Sequence, residues 1–71
     1  ADVAVAAKAL AKRLAMQTDA ADEQVTLAFR WVYSRRPSAE ELQASRAFLR
    51  ESPLHELCRA LLNTNEFVYV D

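Results

Sequence analysis

His55 and Cys58 are the chain's only histidine and only cysteine, and they lie three residues apart. If one helix runs through both, they could form at most a two-ligand metal site. A structural zinc usually takes four ligands. A reactive thiolate needs an electropositive, accessible setting, and a general acid or base needs a partner within hydrogen-bond reach. The sequence holds no CxxCH motif for attaching a c-type haem. Cys58 falls inside a leucine stripe, where a buried thiol acts as a small hydrophobe. His55 lies beside that stripe near Arg59 and reads as a structural or solvated side chain.

Other polar groups read in the same way. Glu40 and Glu41 are adjacent, so on a helix they point in different directions and make no acid/base pair. Their expected roles are capping and compensation of the helix dipole. Asn63, Asn65 and Glu66 suit the satisfaction of helix-end carbonyls and amides. Trp31, Tyr33, Arg35 and Arg36 form an aromatic–basic group too weakly charged to hold nucleic acid. They fit a helix C-terminus with cations near its dipole. Tryptophan beside arginine is also a common interface anchor, which makes this the candidate docking surface.

The elements that must position these residues are helical. Val3, Ala6, Ala7, Leu10, Leu14 and Gln17 share one face of a first helix spanning about Asp2 to Gln17. Asp22 is the expected cap of a second, with Glu23 in its first turn. There Val25, Ala28, Phe29, Val32 and Tyr33 make the core stripe. Leu27 and Trp31, four apart, fall on another side and predict a second apolar face with Arg35 beside it. Pro37 biases Arg36 away from helical angles, and Ser38 with Glu41 makes a capping box for a third helix ending near Arg50. That helix is expected to bury Leu42, Ser45, Phe48 and Leu49. Ser52 is the expected cap of a fourth helix with Pro53 at its first position. Leu54, Leu57, Cys58, Leu61 and Leu62 are its buried stripe, expected to meet Phe29, Val32, Phe48 and Leu49. The stripe fails at Asn65, and a last turn or tail is expected to return Phe67 and Tyr69 to the bundle.

Bulk properties agree. Seventy-one residues allow one small core. With 52% hydrophobic and 27% charged residues the chain is globular rather than disordered. Glycine is absent and proline occurs twice, which starves the chain of hairpin turns and favours helices. A net charge of −1 gives no electrostatic footprint for nucleic acid or anionic lipid. No apolar run approaches the roughly 20 residues of a membrane span. The chain opens Ala1-Asp2 without methionine, which fits a piece of a larger protein.

Two stretches resemble a known family. One is Ala28-Phe29-Arg30-Trp31-Val32-Tyr33-Ser34-Arg35-Arg36-Pro37-Ser38-Ala39-Glu40-Glu41-Leu42. The other is the ending Leu57-Cys58-Arg59-Ala60-Leu61-Leu62-Asn63-Thr64-Asn65-Glu66-Phe67-Val68-Tyr69-Val70-Asp71. Together they look like the C-terminal part of Planctomycete-specific domain one, a domain of unknown function, over roughly residues 20 to 71. The resemblance implies a position at the end of a large exported protein, often one that carries a cytochrome c-type haem domain. It implies no catalytic residue. The family pattern usually has glycine, the residue type suited to the left-handed end of a helix, where this chain has Ser34.

The expectation is a single all-α domain over residues 1–71, a small four-helix bundle with a short C-terminal turn or tail. Its expected function is that of a non-catalytic structural or protein-interaction module at the C-terminus of a larger protein. It binds no cofactor or metal, no nucleic acid and no membrane, and its partner is the remainder of the parent chain or another protein. The docking residues are Leu27, Trp31 and Arg35. The structural caps are Asp22, Ser38, Glu41, Ser52, Asn63 and Asn65. The alternative is an accessory subdomain of a parent redox protein or enzyme that contributes no chemistry itself.

Overall fold

The computed structural model describes residues 2–64. They form four helices: α1 (Val3–Gln17), α2 (Ala21–Tyr33), α3 (Ala39–Glu51) and α4 (Leu54–Leu62). The chain is a small all-α four-helix bundle. Its most extensive packing is α1 on α4. α2 meets all three other helices, α3 leans on α2 and α4, and α1 and α3 do not meet. The core is Ala7 and Leu14 from α1, Val25, Ala28 and Phe29 from α2, and Leu57, Cys58 and Leu61 from α4. Leu10, Leu27, Leu42, Leu49, Leu54 and Leu62 pack partly buried around it.

Each helix end has an identifiable cause. Asp2 caps α1, its carboxylate accepting from the Ala4 amide at 2.9 Å. Ser38 accepts from the Glu41 amide at 3.1 Å, while Glu41 accepts from the Ser38 amide at 2.8 Å, so α3 starts with a complete capping box. Asn63 is the C-cap of α4, and its N–H donates to Arg59 O at 3.0 Å. Asn65, with the expected return of Phe67 and Tyr69, lies outside the described residues.

Two caps differ from expectation. Asp22 does not cap α2. The helix starts at Ala21, with Ala20 at the N-cap and no side-chain cap bond. This places Asp22 inside the first turn, where its carboxylate turns to Arg46 Nε at 3.2 Å. Thr18 organises the turn instead. Its hydroxyl oxygen accepts from the Ala20 amide at 3.1 Å, and its carbonyl accepts from Gln24 Nε2 at 2.8 Å. Thr18 Oγ1 also donates to Glu23 Oε1. Ser52 does not cap α4 either. It closes α3, its N–H donating to Phe48 O at 3.0 Å, and Pro53 takes the N-cap of α4. The fixed proline φ, here −72° with ψ 162°, makes Pro53 the half-in residue.

Phe48 is a further correction. It is 37% exposed. α3 meets the core through the buried Ser45 and the partly buried Leu42 and Leu49. The small serine is the α3 residue that is fully buried, and Phe48 is left at the rim between α3 and α4, facing Glu56, Arg59 and Asn63.

Candidate functional site

His55 and Cys58 do not form a site. Cys58 is wholly buried in the α4 stripe, and burial pushes its thiol up from 9.0 to about 11, away from thiolate character. His55 sits half-exposed with Nε2 at 3.4 Å from Glu56 Oε2, and Arg59 Nη1 is 3.8 Å from the other oxygen of that carboxylate. Among the described residues no three His, Cys, Asp or Glu side chains gather as a metal-binding group. No described helix is long and apolar enough to cross a membrane.

The three expected docking residues part company. Leu27 packs partly buried against the core and edges a hollow of about 270 Å³ with Asp22, Glu23 and Thr26. Arg35 is also committed. Its guanidinium grips Glu41 with two bonds, Nη1 to Oε1 at 2.8 Å and Nη2 to Oε2 at 2.9 Å. Nη1 also donates to Arg36 O at 2.9 Å, and the guanidinium carbon stands 5.5 Å from both the Phe29 and Tyr33 ring centres. Arg35 therefore ties α2 to α3, and the pair holds the Glu41 carboxyl near 2, far below its ordinary 4.5.

Trp31 stays at the surface. It is 41% exposed and walls a groove of about 420 Å³. Among the described residues, Ala6 and Leu10 of α1, Val32 of α2 and Leu62 at the end of α4 add apolar lining, and Arg13 is the one charged residue. The Arg13 guanidinium lies 5.3 Å from the indole centre. Such a cation–π contact contributes about 0.5–1 kcal/mol at an exposed site. Arg13 has no carboxylate within ion-pair distance among the described residues. Its role escaped sequence reasoning, because it lies off the core face of α1 and only the crossing with α2 brings it to the tryptophan.

Tyr33 holds the end of α4. Its hydroxyl lies 2.7 Å from Leu61 O and 2.6 Å from Thr64 Oγ1, and Thr64 Oγ1 lies 2.9 Å from that same carbonyl. Two hydroxyl protons thus serve three contacts around one helix-end carbonyl. This pins the last turn of α4, which carries the groove residue Leu62, to the end of α2.

No family model, no curated protein and no solved structure matches this chain.

Proposed function

We propose that this chain is a non-catalytic structural or protein-interaction module belonging to a larger protein, and that the Trp31 groove is its working face. One observation carries the reading. The groove joins an apolar floor, a half-exposed tryptophan and a single cation without a carboxylate partner among the described residues. Tryptophan and arginine are the residues most enriched at protein-binding hot spots. The described lining is apolar and aromatic with one guanidinium, a chemistry suited to seating a segment of polypeptide. The resemblance to Planctomycete-specific domain one supports a place at the end of an exported parent, with the module packing on the rest of that protein.

The test uses Trp31 as the chain's sole tryptophan. To the chain is added either a peptide with aromatic and aliphatic residues between two acids or the same peptide with lysines in place of the acids. A blue shift of Trp31 emission with the acidic peptide alone is the expected result. No shift with either peptide overturns the reading. Stoichiometric zinc retained after dialysis against a weak chelator would overturn its non-catalytic, metal-free half.

A further inference from the structure

We propose that the outer face of α1 is a second docking surface, and that its occupant is an acidic amphipathic helix of another polypeptide, packed alongside α1 as in a short coiled coil. This surface lies outside the Trp31 groove and does not depend on it. Periodicity is the first argument. Val3, Ala7, Leu10 and Leu14 form the inner row of α1, spaced four, three and four residues apart, with Ala7 and Leu14 fully buried. Val5, Ala9, Lys12 and Met16 repeat that spacing two residues on. At about 100° per residue, the step carries the second row roughly 200° round, to the opposite side of the helix. Alternation of four and three is the spacing that keeps a row facing a partner helix. From Val5 to Met16 the row runs roughly 16 Å.

Exposure is the second argument. Val5 is 65% and Met16 77% exposed, and Ala9 and Lys12 are exposed between them. The inner row meets the core formed with α2 and α4, and α3 does not reach α1. Among the described elements, none covers the outer row. Ala9 is small enough to let a second backbone come close, and the flexible Met16 adapts to the surface laid on it.

Charge identifies the occupant. Lys8 and Arg13 flank the row on its two sides, and Lys12 lies within it. Between Val3 and Gln17 there is no acid. None of the three cations has a carboxylate within ion-pair distance among the described residues. A second copy of α1 on this face would set like charges against each other, which opposes pairing. Glutamates on both flanks of a partner helix would complete the pairs instead. Anionic lipid fits less well. Helices that lie on a membrane bury Trp, Phe or Leu, whereas here a lysine interrupts a row of valine, alanine and methionine.

The experiment is an NMR titration of the isotope-labelled chain with a synthetic peptide of three heptads, with leucine along its seam and glutamate on both flanks. A second peptide carries lysine on the flanks. The expected result is amide shifts centred on the outer row of α1 with the glutamate peptide, and binding at least tenfold weaker with the lysine peptide. V5E/M16E should weaken glutamate-peptide binding at least tenfold, with helical circular dichroism retained. K8E/K12E should reverse the preference between the two peptides. None of these four residues lines the Trp31 groove, so the Trp31 emission response should persist in V5E/M16E and either reading can fail alone. Equal affinity for both peptides, or shifts confined to the groove residues Leu10, Val32 and Leu62, would overturn the inference. So would α1 shifts that arise only with phosphatidylserine vesicles, or self-association of the chain through α1 seen by sedimentation.

Discussion

At Ser34 the chain turns left-handed without a glycine, with φ 61° and ψ 31°. A side chain with a Cβ pays about 1–2 kcal/mol there relative to the right-handed region. Ser34→Gly should therefore stabilise the fold by about 0.5–1 kcal/mol, part of the gain being returned as unfolded-chain entropy. Urea unfolding checks this, and a loss of stability would show that the serine hydroxyl has a role of its own. Ser38→Ala should cost about 0.5–2 kcal/mol through the lost cap, measured in the same way. Glu41 makes a pH prediction. Its carboxyl titrates near 2 in the fold and near 4.5 when free. The pair with Arg35 therefore stabilises the fold fully above about pH 4.5, and that contribution disappears as pH falls through about 2. Both partners are partly exposed, so the effect is modest and screened by salt. The stability gap between the parent chain and Glu41→Gln should close across that window; a gap unchanged at pH 2 would contradict the pairing. The Ser38–Glu41 box was legible because it is a local signal of spacing. The grip of Arg35 on Glu41 was not, because it depends on the turn through Pro37 that folds α3 back beside α2.

Helix periodicity carried the elements. The α4 stripe places Leu57, Cys58 and Leu61 in the core, with Leu54 and Leu62 at its margin. Leu61→Ala should cost about 2–5 kcal/mol by the lost burial and the cavity left behind. For so short a chain that is enough to abolish cooperative melting, and a cost under about half a kcal/mol would contradict the core assignment. The periodicity failed where a residue's fate depends on the neighbour's width. Phe48 is in phase with Leu42 and Ser45, yet α3 reaches the core through its leucines and the small serine, and the ring stays at the rim. Asp22 and Ser52 failed for a different reason. Both are good capping types, but Thr18 and Pro53 fix the starts of α2 and α4 one or two residues from where side-chain preference alone puts them.

At the scale of the whole molecule, three helices make the groove that no single stretch of sequence describes. Trp31 was legible as an off-stripe aromatic. Its neighbours were not, because Leu10, Arg13 and Leu62 meet it only once α1 and α4 pack together and Tyr33 anchors the end of α4. Leu27 was assigned to the same face by its spacing, and the packing of α2 took it into the core margin instead. The proposed role of this groove is to seat polypeptide. The most direct test is the emission and acrylamide quenching of Trp31, compared between the chain alone, the chain with the acidic peptide and the chain with its lysine counterpart. Trp31 should be exposed in the chain alone, blue-shifted and protected with the acidic peptide, and unchanged with the lysine peptide. Equal exposure in all three samples would contradict a polypeptide-binding groove.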